Sequence, residues 1–405
     1  MEATGRANAA DFLKKSFCLI FRVSMVTKHM VSFLPLARQI NPWPAGPPGH
    51  LNHSLLASLA DEIFLAERSP VAQKIPPAIY AGDFIKQHAN DFTTELPNLY
   101  FCQLRGGQVV SPPVAVINRH KDIFGDISLD WRHPRTNHKY RGWKFVRSPT
   151  YLPGKSLCLA ATGAETFFHL LFDSLSRIWI SEKAGFKLQH FDHLIVQQDT
   201  PLLREFLKLF GGHIPSIIDL SKVRHVKCES LFVGSYQSAP GHFHPQYVSW
   251  LRKHAQASVS SVSGNSGKVL FLSRSRARSR RLLNEDEVIQ ILPKELVMPV
   301  SLEKYTLYEQ ISLLRGAVGV IAPHGGGLSN LAWAFQPINV LELFPADFFN
   351  GCYWELSNVI GAKYAYLEGK SFGLEIPANR NFKVSPSLVS DTFQYLQMAN
   401  GNYYY

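Results

Sequence analysis

Residues 317–344 read AVGVIAPHGGGLSNLAWAFQPINVLELF. The opening piece, Ala317 to Ala322, is short, apolar and β-branched at its centre, which predicts a buried strand. Leu328, Leu331, Ala332 and Phe335 then recur at i, i+3, i+4 and i+7, which predicts a helix. Pro337 ends it before a second buried strand, Ile338 to Phe344. The stretch is a βαβ unit. His324, Gly325, Gly326 and Gly327 fall where strand turns into helix, and there free backbone N–H groups and the positive end of the helix dipole make an anion site. The plainer reading of the glycines is that they only let helix and sheet pack closely.

The same alternation extends outward from Lys268. KVLFLS reads as a strand, and Asn284 with Glu287 predicts a capped helix through EVIQIL. LVMPV is a further strand, and Thr306 with Glu309 forms a capping box before YEQISLLR. After the central unit come a helix around YWELSNVIG and a strand AKYAYL. Strands alternating with helices predict a parallel, doubly wound α/β sheet. Upstream, FDHLIVQQ and SLFVGS read as strands among the helices AETFFHLLFDSLSRIWISEK, PLLREFLKLF and PQYVSWLRKHAQA, a second and weaker α/β pattern. ASVSSVSGNSGK between the two halves has the composition of a linker. The first 150 residues, with the Pro-rich NPWPAGPPGH, suggest only an irregular α+β module. The expected division is 1–150, 151–260, 261–370 and a tail at 371–405 that packs back.

A chain of 405 residues with 46% hydrophobic content is long enough for two globular domains and an extra module. No apolar run reaches the roughly 18 residues of a membrane span. FLKKSFCLIFRVSMV is broken by lysines and Arg22, which argues against a secretory signal. The five cysteines, Cys18, Cys102, Cys158, Cys228 and Cys352, are scattered and never spaced as CxxC, which suggests free thiols and no zinc site. The formal charge of +11 suits nucleic acid, an anionic membrane face or a phosphorylated substrate.

The glycine turn is not a Walker A loop, because no GK[ST] follows it, and Asn330 replaces the last glycine of GxGxxG. The HGGG oxyanion turn of lipases fails on chain order: the G-x-S-x-G at 369–373 has no histidine after it. Five arginines lie between Arg274 and Arg281, directly after a strand of the same sheet. Arg274 should project into the crevice at the strand ends, and a guanidinium fork suits phosphate oxygens. Exposed aromatics are not interleaved with these arginines, which argues against nucleic acid. In GAETFFHLLFDSLSRIW, Glu165, His169, Asp173 and Arg177 recur at i+4, so a His and an Asp lie one turn apart as a candidate general base. The alternative is a solvated face with an Asp173–Arg177 ion pair. No D-x-D occurs, so the usual carboxylate clamp for a metal-bound nucleotide sugar is missing.

Together PHGGGLSNLAW (323–333), LSRSRARSRRLLNEDEV (272–288) and FFHLLFDSLSRI (167–178) resemble glycosyltransferase family 61, with its HGAGLTN signature and HWLLDVLPRL helix. The resemblance covers roughly residues 155–370, in order and spacing. Gly326 stands where the family more often has alanine, and Ser176 where it often has proline.

The resemblance implies a GT-B-like fold of two Rossmann-like domains facing a cleft, and inverting, metal-independent transfer from a nucleotide sugar, with no cofactor. It implies donor binding by Arg274, Arg281, His324, Gly325, Gly326, Gly327, Leu328 and Asn330, with Glu342 on the ribose. Asp173 is the first choice of base and His169 the second. A glycan or lipid-linked acceptor in surface polysaccharide synthesis, a cytoplasmic location and peripheral contact with an anionic membrane are expected. A non-catalytic nucleotide- or polysaccharide-binding protein is the alternative.

Overall fold

A computed structural model describes residues 98–125, 127–128, 145–146, 148–238, 241–258, 267–335 and 337–398, with shorter pieces between 32 and 96. Two sheets organise them. The first contains β1 (Glu62–Glu67), β2 (Leu99–Arg105), β3 (Gln108–Val110), β4 (Ala115–Ile117), β5 (Ile123–Phe124), β6 (Thr150–Cys158), β7 (His193–Val196), β8 (Ser216–Asp219) and β9 (His225–Gly234). The second contains β10 (Val269–Leu272), β11 (Val297–Val300), β12 (Gly319–Pro323), β13 (Asn339–Pro345), β14 (Lys363–Phe372) and β15 (Asn381–Lys383).

In the second sheet the order is β11-β10-β12-β13-β14-β15. All neighbours are parallel except the last pair. Strands β10, β12 and β13 are buried at every residue, as parallel strands covered on both faces must be. Chain order reverses between β10 and β12, and in open α/β sheets ligands bind outside the carboxyl ends of the strands at that point. Arg274 follows β10 and His324 follows β12, so topology alone brings the two motifs to one crevice. The first sheet has a parallel core β8-β7-β6-β9, reversing between β6 and β9.

Residues before 150 are not separate from this sheet: β2 and β3 pair antiparallel with β9, where sequence suggested an irregular module. Strand β6 escaped the periodicity because Pro153 and Gly154 interrupt it with a bulge. Gly154 has φ 73°, and a Cβ there would lie 2.2 Å from the Asp192 carboxylate, which accepts the Lys155 N–H. The 257–268 linker falls mostly outside the described residues.

The helix after the glycine turn, Gly326–Trp333, is 3₁₀ and not α. Three residues per turn align i with i+3, and the side chains use that spacing. Asn330 Nδ2 donates to Gly327 O, and Trp333 Nε1 donates to Asn330 Oδ1. The box at Thr306 and Glu309 forms as expected. Asn284 does not cap its helix; its amide is consumed by both backbone groups of Val384. One apolar cluster runs through both sheets, from Leu157, Leu194 and Phe206 to Leu270, Ala322 and Trp333. Polar ties cross the same boundary: Leu307 N–H to Glu205 at 2.8 Å, and Arg252 Nε to Ala332 O at 3.3 Å.

Candidate functional site

The His324 N–H continues the β-ladder to Leu343 O, which fixes the start of the turn at the end of β12. Its Nδ1 lies 2.6 Å from Glu342 Oε1, and the Tyr364 hydroxyl donates to Glu342 Oε2 at 2.6 Å. Glu342 is fully buried with both oxygens engaged. Sequence expected Glu342 on a ribose; in the structure its full burial and its bonds to His324 and Tyr364 make it a support that holds the His324 ring, leaving Nε2 as the nitrogen away from the carboxylate. Phe344 stacks on that ring at 5.0 Å, and Tyr353 tilts against it at 5.4 Å.

The three glycines differ in what requires them. A Cβ on Gly325 would lie 1.9 Å from Arg274 Nη1, so only glycine lets that guanidinium rest on the turn. At Gly326 a Cβ meets nothing within 4 Å, and at Gly327 it would sit 3.2 Å from Leu302 Cδ1. Leu328 is buried, and the Asn330 side chain is committed to the turn itself.

Arg274 Nη2 donates to Ser279 O at 3.0 Å, while its Nε is buried without a partner. Burial, and then the charge of Arg280, push its pKa down to about 10, against a smaller opposing effect of Tyr353. A desolvated cation beside a second cation, with no carboxylate paired to its guanidinium among the described residues, is an environment that suits an anion. Glu285 takes the Arg274 N–H and the Ser273 hydroxyl, which anchors the loop at its base.

Arg280, not singled out from sequence, has φ 54°. Non-glycine residues enter that left-handed region at a cost. The conformation aims its guanidinium at His324 O (3.2 Å) and at Ala378 O, 5.7 Å from the Phe348 ring centre. Arg281 points to solvent, with its N–H on Asn381 Oδ1. Arg274 and Arg280 thus reach the turn, and Arg281 does not.

Beside them lies a cavity of about 430 Å³, a size suited to a small-molecule ligand. Arg274, Arg276, Gly327 and Leu302 line it from the second sheet, and Phe167 and Leu202 from helices of the first. Among the described residues no three His, Cys, Asp or Glu side chains are grouped to hold a metal ion.

The helix over 167–183 is broken by a π-helical segment, Leu170–Ser174. Such wide turns rotate the residues after them and often mark functional sites. Here the polar row dives inward: Glu165 is exposed, His169 half-buried, Asp173 7% exposed and Arg177 fully buried. Arg177 does not pair with Asp173, as sequence suggested. Its guanidinium donates to Ala160 O and Ile127 O and lies 4.8 Å from the Tyr236 ring centre. Asp173 Oδ2 is instead 2.6 Å from His169 Nδ1. Burial opposes protonation of His169, but the bond to Asp173, the charge of Asp173 and that of Glu165 together outweigh it and raise the pKa. Phe168 packs on Tyr353, which packs on His324, so a chain of rings links this helix to the glycine turn.

Residues 167–341 match the family model described as Glycosyltransferase 61. This region is a glycosyltransferase 61 domain. Among curated relatives, the chain is 25% identical over 236 residues to Protein O-linked-mannose beta-1,4-N-acetylglucosaminyltransferase 2 of Bos taurus, covering 50% of this chain and 39% of that protein. It is 32% identical over 100 residues to the EGF domain-specific O-linked N-acetylglucosamine transferase of Drosophila melanogaster, covering 24% of this chain and 19% of that protein. The chain thus spans well under half the length of these relatives. Among solved structures, E. coli heptosyltransferase WaaC with ADP aligns at 11% identity over 61% of this chain and 98% of that one, with a TM-score of 0.25, too low to bear on the fold.

The glycosyltransferase 61 domain contains the helix, the arginine loop and the glycine turn, and its match stops one residue before Glu342. What sequence reading missed around the domain is the support: Arg280, Tyr353 and Tyr364. Arg280 was one arginine among five, and its left-handed backbone leaves no trace in composition. Tyr353 and Tyr364 are ordinary core aromatics until the topology sets them beside His324 and Glu342.

Proposed function

We propose that this chain is an inverting, metal-independent glycosyltransferase that moves a sugar from a nucleotide-sugar donor to a glycan or lipid-linked acceptor. The observation that carries the reading is Arg274, a buried guanidinium with an unpartnered Nε, seated on Gly325 at the reversal point of the second sheet. The donor's diphosphate lies against Arg274, the His324 Nε2 and the backbone of the glycine turn, and its nucleoside occupies the neighbouring cavity. These groups are fixed before the reaction begins, so they stabilise the charge that develops on the departing diphosphate without reorganising. Two sheets with parallel cores and a cavity lined from both support a GT-B-like arrangement.

The acceptor hydroxyl loses its proton to the His169–Asp173 pair as it attacks the anomeric carbon on the face opposite the diphosphate, which inverts that centre. Relative exposure supports His169 as the base, with Asp173 holding its ring as carboxylates hold imidazoles in hydrolytic triads. This exchanges the order in which sequence ranked them. The named relatives are both N-acetylglucosamine transferases by name, so nucleotide-linked N-acetylglucosamine is the first donor to supply. Cys158, Cys228 and Cys352 are buried and form no disulfide, which suits a reducing compartment such as the cytoplasm. Titration calorimetry with nucleoside diphosphates in the presence of chelator tests the donor site: binding that appears only with magnesium or manganese would overturn metal independence, and no binding at all would overturn the reading.

A further inference from the structure

Strands β14 and β15 pair as an antiparallel hairpin whose connection, residues 373–380, carries an apolar edge. Phe372 at the end of β14 and Leu374 and Ile376 in the connection alternate in sequence and are 38%, 102% and 66% exposed. Large aliphatic side chains presented so fully on one tip need an apolar partner. Just behind them Lys370 and Lys383 are direct cross-strand partners. Like charges placed opposite each other destabilise a strand pair. Both lysines are exposed and, among the described residues, neither has a carboxylate in ion-pair range. Arg281 adds an exposed cation alongside, through its N–H bond to Asn381. Among the described carboxylates nearby, Asp347 is taken up by Arg380 and Ser371, while Glu368 on β14 and Glu375 in the connection lie near the same lysines and balance part of their charge.

We infer that this hairpin docks the protein on an anionic lipid bilayer, with Leu374 and Ile376 entering the interface and Lys370, Lys383 and Arg281 meeting the headgroups. An apolar tip backed by cations matches the two layers of such a surface in order: acyl region first, anionic charge behind it. A second copy of this chain would place the same lysines against each other, and an apolar protein groove would leave their repulsion uncompensated. The docking also has a route to the donor site. Arg280 donates both to Ala378 O in the hairpin connection and to His324 O in the glycine turn. Bilayer binding does not depend on sugar transfer and is measured without donor or acceptor.

The test is co-sedimentation of the full 405-residue chain with phosphatidylcholine vesicles containing 30% phosphatidylglycerol or none, for wild type, Leu374→Asp/Ile376→Asp and Lys370→Glu/Lys383→Glu. Expected is binding to the anionic vesicles that either double substitution weakens on the order of tenfold. All these side chains are exposed, so melting temperatures should match wild type and separate lost docking from lost folding. Equal binding by wild type and both variants, equal binding to neutral vesicles, or no sedimentation with either lipid would overturn the inference. So would self-association in solution that both variants abolish.

Discussion

Arg274 illustrates how a residue held at a free-energy cost points to what it binds. A charge-assisted hydrogen bond contributes about 1.5–3 kcal/mol, so Arg274→Ala should weaken nucleoside diphosphate binding roughly 10- to 150-fold by calorimetry. Arg278→Ala should leave it nearly unchanged; equal losses would mean a diffuse basic patch. Gly325→Ala should weaken binding in the same direction but less than Arg274→Ala, because its Cβ displaces the Arg274 guanidinium without removing it, while Gly326→Ala should bind like wild type. The His169–Asp173 pair carries a pH signature. A base must be neutral to accept a proton, so kcat/KM should rise with pH through the His169 pKa, which lies above the ordinary 6.5. Asp173→Asn removes the Asp173 charge, which with the smaller effect of Glu165 raises that pKa. It should move the midpoint of the profile down and lower kcat about 100-fold or more, with donor affinity intact. A normal turnover number in both Asp173→Asn and His169→Ala would place the base elsewhere.

At the scale of elements, the turn into Pro245–Ser258 offers a separate test. His244 precedes this helix, its ring nitrogen accepting the Gln246 N–H, and burial, with Lys183 adding to it, pushes its pKa down to about 4 from 6.5. The folded chain therefore holds His244 neutral where the unfolded chain protonates it. Stability is lost as pH falls from 6.5 toward 4, and His254, also lowered chiefly by burial, acts in the same sense. His169 acts oppositely, stabilising below 6.5 and losing that contribution as pH rises through its raised pKa. Calorimetry should show Tm falling on acidification, and less steeply in His244→Gln. These elements also show what patterning conveys. The helix Pro201–Phe210 and strands β10, β12 and β13 were legible because one period governs each and burial follows it. Strand β6 was not, since Pro153 and Gly154 break the period. Neither was the π-helical segment, because widening a turn by one residue leaves the i+4 recurrence of His169, Asp173 and Arg177 intact while turning Arg177 into the core.

For the whole molecule, the feature with the widest reach is the apolar cluster shared by both sheets and tied by Glu205 and Arg252. Neither sheet can lose its packing without exposing the other's, so heating should give one cooperative transition with equal calorimetric and van't Hoff enthalpies. Two resolved transitions would mean that the halves melt alone. Cooperativity of this kind transmits occupancy. A nucleotide bound as proposed, mainly against the second sheet, would stabilise the entire folded state by mass action, in proportion to ln(1 + [L]/Kd). Slow-exchanging amides in β6 and β7, far from Arg274, should then gain the same hydrogen-exchange protection on ligand addition as those in β10 and β12, because all of them exchange only through the same global opening.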